Sequence, residues 1–333
     1  MKYRQVMAVQ RGGPEMLHVV EQELRPPRAG EVRVRVLAVP VCLPDVQARY
    51  GLSPSAPRLP FVPGYAVVGV VDSIGPAVRS TFAVGDLVAA LTIVGGYAEY
   101  IYLRAQQLMA VPSGLDLAQA AVLILNSIVA YQCLHRVARV QRGDAVLVIG
   151  ASGGVGTAFL QLGQLAGLKM YGLASAAKHS VLQQYGAHPI DYRSQDFVAV
   201  LREVAPGGVQ VVFDGMGGDY VRRGLMVLKP GGVLVEYGNP LSVGRLLRLL
   251  GRVLACNLSL NGKRVLLYGT SASLFGRKPF LEDWQILYRL LAEGKISPLI
   301  GRRYPLLEAA QANAHLESGQ VMGNLALVAP ELL

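Results

Sequence analysis

The sequence predicts an α/β protein in which a β-rich segment of short strands precedes a doubly wound parallel sheet. Three observations predict it. Apolar residues make up 52% of the 333-residue chain and charged residues 16%, which suits two buried cores and excludes disorder. Turn residues punctuate the first third at short intervals. From about residue 117 onward, strand-length apolar runs alternate with helix-length ones, as they do in a sheet covered by helices on both faces.

The elements follow in order. Val6 to Val9 reads as a strand, and Val32-Arg33-Val34-Arg35-Val36 alternates as a half-buried strand should. Val67 to Val71 is a continuous apolar strand, and Gly85-Asp86 turns into Leu87 to Leu91. The apolar stretch from Leu117 to Val137 is too long for a strand and predicts a buried helix. Val146 to Ile149 is a buried strand, Val155 to Ala166 a helix, Met170 to Ala174 a strand and Ser180 to Tyr185 a helix. Val209 to Phe213 and Val233 to Tyr237 are further strands. Ile286 to Ala292 and Ala309 to Leu316 read as helices, and Leu325 to Val328 closes as a strand.

Between the first strand and helix of the alternating part lies Gly150-Ala151-Ser152-Gly153-Gly154-Val155-Gly156. This is the dinucleotide-binding fingerprint of a Rossmann sheet, with Ala151 in the first glycine position. Gly153 lets backbone approach a pyrophosphate, Gly156 lets helix and strand pack closely, and the helix N-terminus attracts phosphate. An NAD site usually places Asp or Glu at the end of the second strand to hold the ribose hydroxyls. Here that strand ends Leu173-Ala174-Ser175-Ala176-Ala177-Lys178, without an acid. Ser175 as donor and Lys178 as cation suit a 2′-phosphate, so NADP(H) is the expected cofactor.

The three cysteines, Cys42, Cys133 and Cys256, form no CxxC pair, so a four-cysteine zinc site is excluded. The net charge of +10 is spread along the chain without a basic arm, which argues against nucleic acid. The start of the chain lacks a signal-peptide core, and a cytoplasmic protein is expected. In Arg245 to Leu254, arginines 245, 248 and 252 share one side of a helix and leucines occupy the other. A membrane-surface helix has this pattern, but the expected arrangement is a helix or lid over the substrate cleft that packs its leucines inward.

The glycine loop, together with Pro60-Phe61-Val62-Pro63-Gly64-Tyr65, Val84-Gly85-Asp86, Gly95 to Tyr100, Gly186-Ala187, Ile190-Asp191-Tyr192, Val211 to Asp214 and Pro230-Gly231-Gly232, resembles the zinc-independent quinone oxidoreductases of the medium-chain dehydrogenase/reductase superfamily over nearly the whole chain. The resemblance implies a GroES-like barrel from residues 1–118 with 298–333 and a Rossmann NADP(H)-binding domain over 119–297, with the active site in the cleft and a homodimeric assembly. It implies that Tyr192 lies near the adenosine phosphate and that Gly215, Gly238 and Asn239 meet the nicotinamide half. Zinc-dependent relatives carry a cysteine at Cys42 and a histidine at Tyr65. Cys42 alone cannot hold a tetrahedral ion, so no metal is expected. The chain departs from the family pattern at Cys42, Ser53, Ala66 and Val129, where polar or acidic groups are common.

The function expected is NADPH-dependent reduction of a small hydrophobic quinone or an activated C=C bond by hydride transfer. Tyr65 and Asn126 are the expected catalytic hydrogen-bond donors, and Cys42, Tyr50 and Tyr131 the expected lining of the substrate pocket. The lost polar groups leave a non-redox cyclase or isomerase as an alternative, and the 245–254 pattern leaves a membrane-associated NADP(H)-binding protein.

Overall fold

A computed structural model describes residues 1–52, 56–79, 82–238, 243–258, 262–269 and 277–333. By its internal contacts the chain divides into two compact units, Met1–Leu125 with Trp284–Leu333, and Asn126–Asp283. The first unit opens with β1 (Lys2–Ala8), β2 (Leu17–Glu23), β3 (Glu31–Val41), β4 (Ala66–Ile74), β5 (Leu87–Leu91), β6 (Tyr100–Arg104) and β7 (Met109–Ala110). The second holds β8 (Ala145–Ile149), β9 (Lys169–Ala174), β10 (His188–Asp191), β11 (Val209–Asp214), β12 (Leu228–Glu236) and β13 (Arg264–Leu267). The chain then returns to the first unit with β14 (Ile300–Pro305) and β15 (Asn324–Val328).

In the first unit β1 and β2 form a hairpin, and the main sheet runs β14-β15-β3-β4-β5-β7 with β6 also on β3. β3 shows why its alternation matters. Val32, Val34 and Val36 are buried, while Arg33 and Arg35 point outward to ion-pair with Asp72 and Glu331. Beyond Val36 every residue of β3 is buried. There the strand pairs with β4 and β15, and the helical turn Leu117–Val122 packs on it, so alternation gives way to a continuous apolar run. This is the N-terminal GroES-like domain, extended by the C-terminal strands.

The second unit is a six-stranded sheet, all parallel, in the order β10-β9-β8-β11-β12-β13. Two three-strand halves start at the centre and run outward from β8 and β11, so the order reverses between those two strands. This is the Rossmann arrangement, and it places a ligand crevice beyond the carboxyl ends of β8 and β11. Leu147, Ile149, Leu173, Ile190, Val212, Leu234 and Val265 fill the core beneath one face with Phe197 and Leu201 from the helix Phe197–Val204. Phe159 of the helix Gly154–Leu165 stacks on Phe213 at 4.4 Å.

Two features differ from the sequence expectation. β12 starts at Leu228, ahead of the expected start at Val233, and runs through Pro230-Gly231-Gly232; its pairing with β11 is irregular between Val209 and Val211. In the helix Val243–Asn257, Leu247, Leu250 and Leu254 are exposed, not packed inward. Val253 and Cys256 occupy the inward side against the core instead. The helix therefore carries two apolar stripes, and the core covers one. The segment Leu117–Ala138 is helical, with π-helical turns at Leu123–Ser127 and Cys133–Ala138. It is long and apolar enough to cross a membrane, but 78% of its apolar window is buried inside the fold, as in a core helix.

Candidate active site

The glycine loop joins β8 to the helix Gly154–Leu165. The tight turn falls on Gly150, whose φ of 77° suits glycine, so Ala151 in the first glycine position costs nothing there. Ala151 is fully buried and its N–H donates to the Leu173 carbonyl. A Cβ on Gly156 would lie 2.3 Å from the Gly150 oxygen, whereas one on Gly153 would meet only that oxygen, at 3.6 Å. Packing thus demands glycine at 156. At 153 neither packing nor backbone strain does, and the open space is what a phosphate would occupy. Gly153 gives the helix no side-chain cap, so the first-turn N–H groups of Gly154, Val155 and Gly156 are oriented toward an incoming anion. Ser152 is nearly buried beside them.

At the ends of β9 and β10, register pairs Asp191 with Ala174, so Ser175 and Tyr192, the residues that follow, emerge side by side. Ser175 is buried and Tyr192 is exposed. Lys178 follows in the turn Ala176–Lys178. Its ammonium is pushed below the ordinary lysine value by burial and then by Arg193. Two cations therefore share this corner, and Arg193 was not singled out from sequence. The structure brings Ser175, Lys178 and Tyr192 together with it.

A row of strand ends crosses the crevice: Leu173, Ile149, Asp214, Glu236 and Leu267 stand in register on β9, β8, β11, β12 and β13. Asp214 and Glu236 are buried neighbours that sequence reading did not connect. Asp214 Oδ1 accepts the N–H of Met216 at 2.8 Å and of Gly217 at 3.0 Å. Burial, followed by Asp214, pushes Glu236 up to about 9. Both carboxyls are raised by burial, so the pair holds a proton at neutral pH. Gly215 abuts Tyr237, and a Cβ on Gly238 would lie 2.7 Å from the Gly215 oxygen, so the turns after β11 and β12 touch. Asn239 lies outside the described residues.

In the first unit, Cys42 precedes the helix Leu43–Tyr50. Its thiol is buried and pushed well above the ordinary value by that burial and by Asp45. Asp45 accepts the N–H of Cys42 at 3.1 Å, of Gly64 at 2.9 Å and the Tyr97 hydroxyl at 3.3 Å. Burial outweighs these donors and pushes its carboxyl up to about 7. Tyr65, next to Gly64, is partly buried, and its hydroxyl is raised by burial, then by Asp45 and Cys42. The Tyr50 hydroxyl donates to Glu317 at 2.9 Å. In the second unit, Asn126 sits in the π-helical turn Leu123–Ser127, and Tyr131 packs against His135 with ring centroids 4.5 Å apart. Among the described residues, no three His, Cys, Asp or Glu side chains converge as a metal-binding group.

The comparisons with known proteins agree with this architecture. The family described as "Alcohol dehydrogenase GroES-like domain" matches residues 28–113, and that described as "Zinc-binding dehydrogenase" matches 185–327. The chain is 30% identical to a 2-haloacrylate reductase of Burkholderia sp, covering 96% of both chains. It is 30% identical to quinone oxidoreductase 1 of Escherichia coli (strain K12), covering 95% of this chain and 97% of that one. The chain belongs to the medium-chain dehydrogenase/reductase superfamily. A synaptic vesicle membrane protein VAT-1 homolog of Danio rerio is 35% identical over 239 residues, 71% of this chain but 49% of that relative's length. Among solved structures, the E. coli quinone oxidoreductase complexed with NADPH aligns with a TM-score of 0.86 at 27% identity, covering 98% of this chain and 99% of that one. The CurF ER cyclopropanase from the curacin A biosynthetic pathway aligns equally well, with a TM-score of 0.86 at 28% identity over the same shares.

Proposed function

We propose that this superfamily member is an NADPH-dependent, zinc-independent reductase of a hydrophobic quinone or activated C=C bond. The observation that carries the reading is the corner where Ser175, Lys178 and Arg193 meet at the end of β9: that strand ends without an acid, and Asp191, which ends β10 beside it, is engaged by the Arg193 N–H and the Ser194 hydroxyl. That chemistry fits a 2′-phosphate and disfavours the bare ribose of NADH. The named activities of the two bacterial reductases support the redox class.

In this reading Ala151 to Gly156 cradle the pyrophosphate, and Ser175, Lys178 and Tyr192 hold the adenosine phosphate. Gly215, Gly238 and Asn239 meet the nicotinamide half. When bound, the cofactor supplies a hydride. The chain's own part is to orient the electron-poor carbon, exclude water and stabilise the oxygen on which negative charge develops. We assign the last task to hydrogen bonds from Tyr65 and Asn126, and the pocket lining to Cys42, Tyr50 and Tyr131. Residues 119–297 then form the cofactor domain, and 1–118 with 298–333 the substrate domain, in a homodimer. The test is NADPH oxidation, followed by absorbance, against a panel of quinones and enones. Turnover of at least one class with a fall of roughly tenfold or more in kcat for Tyr65→Phe is expected; unchanged kcat in that variant would remove Tyr65 from the mechanism.

The exposed Leu247, Leu250 and Leu254 favour a second reading, contact with an anionic membrane through the helix Val243–Asn257. Sedimentation with anionic vesicles tests it, and absence of binding removes it.

A further inference from the structure

The buried pair Asp214 and Glu236 plays no part in the chemistry above, yet it stands in the middle of the strand-end row, with Asp214 in register with Ile149, the residue before the glycine loop. Neither carboxyl has an ion pair among the described residues. Asp214 Oδ2 and Glu236 Oε2 are buried without a donor from the rest of the protein. A carboxylic acid hydrogen-bonded to a carboxylate is the arrangement that accounts for both atoms. Each partner also grips a turn. Asp214 Oδ1 holds the N–H groups of Met216 and Gly217, and the Glu236 carboxyl accepts the N–H of Gly238. The two turns touch at Gly215 and Gly238.

We propose that Glu236 is a positioning residue for the nicotinamide end of the cofactor site: as a neutral acid it donates to Asp214 and clamps the turn after β11 to the turn after β12. The proposal rests on the cofactor reading given above. Loss of the shared proton would place two like charges side by side in a buried site, where neither is compensated, and push the turns apart.

The ionisable groups around the pair do not mask this. Tyr220, from the helix Asp219–Val227, and Tyr237 both feel Asp214, and Tyr237 also feels Cys133 and Glu236. Burial raises all three above their ordinary values, so they keep their protons while Glu236 loses its own near pH 9. Ile149 and Leu267, on the flanking strands, are apolar. Lys178 is the confounding group, since its ammonium is lowered by burial and by Arg193. It lies at the adenosine end, which suggests the control.

The experiment measures dissociation constants of NADPH and of adenosine 2′,5′-bisphosphate, which has no nicotinamide half, from neutral pH to above pH 10. For the unaltered protein the account expects NADPH affinity to fall about tenfold per pH unit above about 9, beyond any fall shared with the bisphosphate. Glu236→Gln keeps a neutral donor and is expected to bind NADPH at neutral pH while losing that extra fall. Parallel curves for the two ligands in the unaltered protein overturn the proposal, and that comparison needs no variant. Retention of the extra fall in Glu236→Gln overturns it as well. Failure of both ligands to bind at neutral pH would instead overturn the cofactor reading, and the proposal with it.

Discussion

A Cβ on Gly156 would stand 2.3 Å from the carbonyl oxygen of Gly150, so the first turn of the helix rests directly on the end of β8. Gly153, three residues earlier, has no such neighbour. Packing therefore demands glycine at 156, and in the proposed reading a bound pyrophosphate demands it at 153.

Their variants should separate accordingly. Gly156→Ala forces backbone apart and is expected to destabilise the protein by about 1–3 kcal/mol. Gly153→Ala places a methyl in open space at a helix cap, where the cost is under about 1 kcal/mol. Its effect should fall on NADPH affinity, by roughly tenfold or more, because the methyl meets the pyrophosphate. Urea unfolding and calorimetric titration of both variants check this.

Lys178→Ala and Arg193→Ala should each weaken NADPH binding by roughly tenfold while leaving NADH little changed, since each loses a charge-assisted contact to the 2′-phosphate that NADH does not make. The ratio of the two dissociation constants is the measurement. An equal loss for both nucleotides would place these cations at the pyrophosphate.

Much of this site was legible in the sequence. Glycines at fixed spacing after an apolar strand declare the loop, and Ser175, Lys178 and Tyr192 lie within short reach of strand ends that periodicity locates. Arg193 was not legible, because as a lone arginine in a loop it acquires meaning only when β10 pairs beside β9. Asp214 and Glu236 were hidden for the same reason. Each ends an apolar strand, and only the register of β11 on β12 reveals that the two carboxyls are neighbours. The helix Val243–Asn257 misled because an amphipathic pattern does not say which apolar residues the core covers: Val253 and Cys256 pack on it, while Leu247, Leu250 and Leu254 are exposed.

Asp45 gives the fold a pH dependence of known sign. Its carboxyl rises from an ordinary 3.8 to about 7 on folding, so the native state holds a proton that the unfolded chain releases. The resulting stabilisation is complete below about pH 4 and is lost as pH rises to about 7, at up to about 1.4 kcal/mol per pH unit. Asp45→Asn cannot titrate. The difference in unfolding free energy between the two proteins should therefore slope across that window and level off above it.

Arg49 is fully buried and ion-pairs with Glu317, which also accepts the Tyr50 hydroxyl. Glu317→Ala strands a buried guanidinium and should cost about 3–5 kcal/mol. Tyr50→Phe removes only one hydrogen bond, worth about 1.5–3 kcal/mol because its acceptor is charged. Chemical denaturation ranks the two.

The central claim is that this Rossmann unit holds NADPH through the glycine loop and the Ser175–Lys178–Arg193 corner. Calorimetric titration with NADPH, and with NADH in parallel, tests it most directly. One NADPH per chain is expected, bound at least about tenfold more tightly than NADH. Binding of neither nucleotide, or a preference for NADH, would contradict it.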